Sequence, residues 1–218
     1  MREFTWIWTI GAPLVRAVMR ICFRLRVEGI EHVPRSGPTV LAANHVSVLD
    51  GPTVSAVVGA GRRRAVRNLV AAEAFHGPIG WILEQARQIP IRRGSGDTGA
   101  LGEAVDAVAG GGCVGIFPEG RVSNDPTDGL QRMRSGLSRI AIPTSAAVVP
   151  VGIWGLQTPW PRSGFDLRSL LRRPVVVFVF GEPIVPAPGE APSAFRERFR
   201  CALSEQVDRA RWLAGDPP

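Results

Sequence analysis

The 218-residue chain contains no lysine and no tyrosine. All 26 of its Lys+Arg positions are therefore arginines, so every basic contact is a guanidinium that can grip a phosphate through two parallel hydrogen bonds. Cysteine is also scarce. Cys22, Cys113 and Cys201 are odd in number, far apart and set in apolar stretches. That pattern excludes a disulfide framework or a zinc-finger spacing and predicts buried free thiols in a reducing compartment. The N-terminal apolar stretch is interrupted by arginines, which argues against a spanning helix of ~20 mainly apolar residues. It also lacks a small-residue cleavage site, which argues against a signal peptide. There is no aromatic ribonucleoprotein motif and no defensible helix-turn-helix, so the net charge of +7 points away from nucleic acid and toward an acidic membrane surface.

Among the residues that are present, Asn44-His45-Val46-Ser47-Val48-Leu49-Asp50 organises the rest. It follows Thr39-Val40-Leu41-Ala42-Ala43, an apolar run that predicts a buried strand, and the carboxyl edge of such strands is where open α/β sheets collect ligands. His45 and Asp50 are not on one helical face, because five residues at 3.6 per turn leave them about 140° apart. Contact between them requires residues 44–46 to be loop, Ser47 to act as N-cap and Asp50 to sit in the first helical turn. In that arrangement Asp50 orients an imidazole base. The same residues allow a plainer reading, in which Asp50 only satisfies backbone donors of an S-x-x-D helix start and His45 is an ordinary loop histidine. Spacing leaves both open.

A second stretch, Phe117-Pro118-Glu119-Gly120-Arg121, follows the apolar run Cys113-Val114-Gly115-Ile116, which predicts a central parallel strand. Together with Arg93, which closes Ile89-Pro90-Ile91-Arg92-Arg93, and with Val149-Pro150-Val151, these blocks resemble the glycerophospholipid acyltransferase family, typified by 1-acyl-glycerol-3-phosphate acyltransferases. The family order is N-H-x-x-x-x-D, an arginine after a short apolar strand, F-P-E-G-x-R-S and a V-P-V strand. The resemblance spans roughly residues 27 to 155. One block departs from the pattern: Arg121 comes one position early and Val122 takes its usual place.

The resemblance implies transfer of a fatty acyl group from acyl-CoA or acyl carrier protein to the hydroxyl of lysophosphatidate, with no cofactor or metal. His45 and Asp50 are its implied catalytic pair. Arg93, Glu119, Gly120 and Arg121 are its implied substrate-binding residues. The same chemistry on a glycolipid or another lysolipid, thioester hydrolysis, and a catalytically silent membrane-binding module are the competing readings.

The expected fold is α/β, one domain with a largely parallel central sheet flanked by helices, because strands alternate with helical segments along the chain. Residues 1–26 are set apart from the domain at 27–218 as a basic amphipathic helix. Gly11-Ala12-Pro13 is expected to break the N-terminal run; beyond it Arg16, Arg20 and Arg24 recur every four residues, away from Leu14, Val18 and Ile21. Two placements suit such a helix: in the interface of an anionic membrane at the cytoplasmic face, with Trp6 and Trp8 among the headgroups, or packed on the domain with its arginines in water. A helix through Val58 ending at Gly59-Ala60-Gly61 is expected next, then Arg62, Arg63, Arg64 and Arg67 as a solvated charge run. His32 is expected at the surface. The stretch from Ser123 to Arg134 reads as a loop over the site, and residues 192–213 as a packed helix with Phe195, Phe199, Leu203 and Val207 inward.

Overall fold

A computed structural model describes residues 5–92, 97–159 and 166–217. Its frame is a 7-stranded sheet in the order β1-β7-β6-β2-β5-β3-β4. The strands are β1 Arg24–Glu28, β2 Thr39–Ala43, β3 Arg67–Ala71, β4 Ile89–Ile91, β5 Cys113–Ile116, β6 Ala147–Trp154 and β7 Val175–Phe180. Every neighbouring pair is parallel except β6 and β7. The largely parallel sheet flanked by helices is thus the architecture; β7 runs antiparallel to β6, and among the described residues of their connection lies a short helix, α6 Leu167–Leu171.

Side chains alternate across a strand, so β2 feeds two cores. Val40 and Ala42 face one, under α4 Thr98–Ala109, α5 Gly136–Thr144 and α7 Pro192–Ala214. Leu41 and Ala43 face the other, under α1 Ala12–Cys22 and α2 Asp50–Arg62. On α7, Phe195, Phe199, Leu203 and Val207 are buried, as their spacing requires. The remaining helix, α3 Gly77–Gln85, leaves Ile79, Trp81 and Ile82 exposed.

Several local expectations are corrected. Gly11 is helical, so a π-helical turn Ile7–Gly11 runs into α1 without the break expected at Gly11-Ala12-Pro13. Arg24 belongs to β1, so only Arg16 and Arg20 of the three arginines lie on the helix. The boundary at 26/27 falls inside β1. α1 has two apolar faces: Ala12 and Met19, with Trp8 of the preceding turn, join the core, while Leu14 and Ile21 are 61% and 72% exposed. Gly59 permits this packing, because a Cβ there would meet Ala12 Cβ at 2.9 Å. For that reason α2 does not stop at residues 59–61; it runs to Arg62 and turns at Arg63, whose φ is 55°.

The arginine run is not solvated throughout. Arg64 is buried and donates to the carbonyls of Pro34, Gly37 and Gly111, and Arg62 Nε donates to Val33 O at 2.8 Å. His32 is half-buried with Nδ1 at 2.8 Å from Phe180 O, because the 3-10 turn Ile30–His32 brings it onto the end of β7. All three cysteines are free, but Cys201 is exposed on α7 and only Cys113 is fully buried.

Candidate active site

Both sequence motifs leave neighbouring strands at the same edge. β2 and β5 pair in parallel with Ala42 opposite Ile116, so the loop after Ala43 and the loop after Ile116 emerge side by side. The chain then departs to opposite faces of the sheet, through α2 on one side and α5 on the other. Such a divergence opens the crevice in which doubly wound sheets bind ligands.

Asn44 fixes the first loop. Its side-chain amide donates to Ile153 O at 2.9 Å and accepts from Ile153 N at 2.7 Å, a two-way clamp onto β6. His45 Nδ1 is 2.8 Å from Asp50 Oδ2. The same oxygen accepts the backbone N–H groups of Val46 at 2.7 Å and Ser47 at 2.8 Å. One carboxylate oxygen thus both accepts the backbone donors that lead into α2 and contacts the imidazole. Ser47 is not the N-cap. α2 begins at Asp50 with Leu49 before it, and the Ser47 hydroxyl accepts the Leu49 N–H at 3.3 Å instead. Phe117 stacks on the His45 ring with centroids 4.2 Å apart, which holds the ring plane. The His45 side chain is 18% exposed and that of Asp50 0%, so the dyad faces outward through the imidazole alone.

Glu119 braces this loop. Its Oε1 accepts the His45 N–H at 2.9 Å and its Oε2 accepts the Gln131 N–H at 3.1 Å. The Ser123 N–H returns to His45 O at 2.7 Å, so the polar loop after β5 is stitched over the dyad. Burial pushes the carboxyl groups of Asp50 and Glu119 above their ordinary range, opposed in each case by His45 and backbone N–H groups.

Gly120 has a φ of 71°, a conformation that costs a side-chain-bearing residue about 1–2 kcal/mol. The missing Cβ also leaves room for Arg134, whose Cδ and Nε lie 2.9 Å from where that atom would stand. Arg134 was not singled out by the sequence, since it lies in a polar loop with two other arginines nearby and nothing in the order of residues says which one crosses Gly120. Arg121 lines the same cleft, with Nε donating to Gln131 Oε1 at 2.8 Å. Arg93 lies outside the described residues.

The cleft has a volume of about 730 Å³. Its lining combines apolar side chains, among them Leu69, Ile91, Leu101, Phe117 and Met133, with the arginines Arg121, Arg132, Arg134, Arg139 and Arg196. An imidazole held by a carboxylate on the lining of a cleft that offers both apolar side chains and guanidinium groups suits a substrate with an acyl chain and an anionic end.

A family model described as an acyltransferase matches residues 24–154, more than half of the chain and nearly the span of the four motif blocks. The chain belongs to the acyltransferase family. Among curated relatives of this acyltransferase-family chain, an uncharacterized protein of Mycobacterium tuberculosis is 30% identical over 224 residues, covering 95% of the chain and 58% of that protein. The lyso-ornithine lipid O-acyltransferase of Pseudomonas aeruginosa is 33% identical over 142 residues, covering 64% of the chain and 51% of that enzyme. The chain thus spans little more than half the length of these relatives. The fold is shared with the crystal structure of the 1-acyl-sn-glycerophosphate acyltransferase of Thermotoga maritima, at a TM-score of 0.71 and 21% identity, over 95% of this chain and 92% of that one.

Proposed function

We propose that the chain transfers a fatty acyl group from a thioester, acyl-CoA or acyl carrier protein, to the free hydroxyl of lysophosphatidate. The observation that carries this reading is the His45–Asp50 contact of 2.8 Å on the lining of the arginine-containing cleft. With Nδ1 held by Asp50, the other ring nitrogen takes the acceptor's hydroxyl proton as its oxygen attacks the thioester carbonyl. Asp50 fixes the tautomer and stabilises the imidazolium formed. The C–S bond then breaks and the thiolate leaving group takes up the proton. Glu119 acts as a positioning residue, because both its oxygens are occupied by backbone donors of the loops that carry His45 and Gln131. Arg121 and Arg134, which converge on the Gly120 turn, hold the acceptor phosphate.

Trp6, just ahead of the π-helical turn, and Trp81 on α3 have ring centroids 6.1 Å apart, and both are exposed, as are Leu14 and Ile21 on α1 and Ile79 and Ile82 on α3. We assign these side chains to the interface of an anionic membrane at the cytoplasmic face, where aromatic and basic side chains favour the headgroup zone. Among the described residues no helix is long and apolar enough to cross a membrane. The relative named for lyso-ornithine lipid favours one second reading, the same chemistry on a lysolipid without phosphate.

A panel of lysolipids with one labelled acyl-CoA tests the reading. Labelled phosphatidate from lysophosphatidate is expected. Equal label on a phosphate-free lysolipid selects the second reading, and free fatty acid released without any acceptor overturns both.

A further inference from the structure

The most exposed large apolar side chains among the described residues are Leu171 on α6, at 76%, and Ile21 in the last turn of α1, at 72%. They are remote in sequence, but the segments that carry them are joined. Arg173 Nη2 donates to Arg20 O at 2.8 Å, which ties the chain leaving α6 to the carboxyl end of α1. A cation there also opposes the negative end of the helix dipole. Arg173 makes this contact from a backbone φ of 49°, the left-handed region that residues with side chains rarely adopt.

The surroundings of this apolar pair are basic. Arg168, Leu171 and Arg172 are three and four residues apart, so they are neighbours along α6 and the turn that closes it, where the Arg172 N–H donates to Ser169 O at 3.2 Å. Arg20, Arg168, Arg172 and Arg173 are all exposed, and no ion pair among the described residues includes any of them. The carboxylate of this segment, Asp166, accepts the N–H groups of Arg168 at 3.0 Å and Ser169 at 3.3 Å. Aliphatic side chains ringed by guanidiniums suit the boundary of a bilayer, where acyl chains lie beneath anionic phosphates. A two-fold contact with a second copy of the chain would instead set the four cations against their own counterparts.

We propose that α6 and the carboxyl end of α1 form a second contact with an anionic bilayer, in which Leu171 and Ile21 enter the acyl boundary and Arg20, Arg168, Arg172 and Arg173 bind lipid phosphates. The inference rests on the membrane reading of the Trp6–Trp81 end and deepens it. From Trp6 to Ile21 the helix runs without a break, which spans roughly 22 Å at 1.5 Å per residue. Ile10, Leu14 and Val18 are exposed between the two ends at four-residue spacing, so one apolar stripe connects them. Contact at the tryptophan end alone leaves the domain free to tilt about it. Contact at both ends lays α1 along the surface and fixes which face of the sheet is turned toward the lipid.

Co-sedimentation with vesicles tests this. The wild-type chain, Arg168→Gln/Arg172→Gln, Leu171→Ser and, at the tryptophan end, Ile79→Ser/Ile82→Ser are each titrated with vesicles of phosphatidylglycerol mixed with phosphatidylcholine and with vesicles of phosphatidylcholine alone. An arginine at an anionic surface is worth about fivefold in binding, so Arg168→Gln/Arg172→Gln should bind the mixed vesicles about thirtyfold more weakly and the neutral ones as the wild type does. Leu171→Ser should weaken binding to both several-fold. The substituted side chains are exposed, and should the arginine pair nonetheless unfold the chain, Leu171→Ser alone decides. Unchanged binding of the α6 variants beside a loss in Ile79→Ser/Ile82→Ser overturns the second contact and leaves the first. A loss in the α6 variants with none in Ile79→Ser/Ile82→Ser upholds the second contact and removes the first. A wild type that sediments with neither kind of vesicle overturns both. Equal loss on the two kinds of vesicle in Arg168→Gln/Arg172→Gln overturns phosphate binding by these arginines. A dimer in solution that Leu171→Ser dissociates also overturns the proposal, and reassigns the patch to a second copy of the chain.

Discussion

The two edges of the sheet use arginine in opposite ways. At the amino edge, Arg62, Arg64 and Arg67 donate to the carbonyls of Val33, Pro34, Gly37, Arg87 and Gly111, which precede strands or follow helices. These guanidiniums complete the fold by satisfying acceptors that would otherwise be left over where chain segments meet. At the carboxyl edge, Arg121, Arg134, Arg139 and Arg196 line a cleft whose carboxylates are already engaged by backbone. One residue type ties chain segments together at one edge and lines a cleft at the other. Sequence position does not separate the two, since both groups sit among other arginines.

The largest effect expected is at the carboxyl edge. His45→Ala should reduce acyl transfer by ~10²–10⁴, the contribution of a positioned base, because the ring nitrogen facing the cleft has no substitute at that position. Its stability should stay within about 1 kcal/mol of wild type, since Asp50 keeps its Val46 and Ser47 donors. Retention of more than half the wild-type turnover by a folded variant would remove the dyad from the mechanism.

Arg64→Leu should do the reverse. Three carbonyls lose a charged donor at a buried position, at a cost of about 3 kcal/mol in chemical denaturation, while KM for donor and acceptor stay as in wild type. A variant with unchanged stability and weaker substrate binding would contradict the division between the edges.

Within the cleft, Arg134→Gln should raise KM for lysophosphatidate about tenfold and hardly change it for monoacylglycerol, because only the charged headgroup loses a bidentate partner. Arg121→Gln should follow the same pattern more weakly, since that guanidinium is shared with Gln131. Equal losses for both acceptors would assign these arginines to the fold of the loop.

How much of this was legible in the sequence follows from the range of each interaction. The His45–Asp50 contact was one of two readings that the spacing allowed, because both partners lie within one strand-to-helix turn, and the motif resemblance favoured it. The adjacency of His45 and Glu119 needed only two apolar strands and a parallel sheet. The packed face of α7 showed in the four-residue spacing of Phe195, Phe199, Leu203 and Val207. What escaped depends on partners remote in sequence. Arg64 reads as solvated until Gly111, 47 residues away, supplies a carbonyl. Leu14 and Ile21 read as one apolar face of an amphipathic helix, but the inner face of Trp8, Ala12 and Met19 is defined by Gly59 and its neighbours on α2. Arg134 matters because Gly120 lacks a Cβ, a relation between two loops that no local pattern encodes.

The smallest effect concerns Glu119, where buried charge at the carboxyl edge meets its structural use. Glu119→Gln keeps one acceptor oxygen but turns an amide toward the other backbone N–H, a loss of about 1 kcal/mol. The carboxyl group is held above its ordinary value of 4.5 by burial, so the folded chain retains that proton to higher pH than the unfolded chain. Ionisation therefore costs the wild type stability as pH rises from about 4.5 through the raised value, a cost that glutamine never meets. The stability gap between wild type and Glu119→Gln, measured by denaturant at pH 4 and again at pH 8, should shrink as pH rises. A gap that widens instead would mean that the His45 and Gln131 N–H groups outweigh burial and hold Glu119 ionised. In that case the loop that carries the base would be clamped by a carboxylate at every working pH, and transfer by Glu119→Gln would fall together with stability.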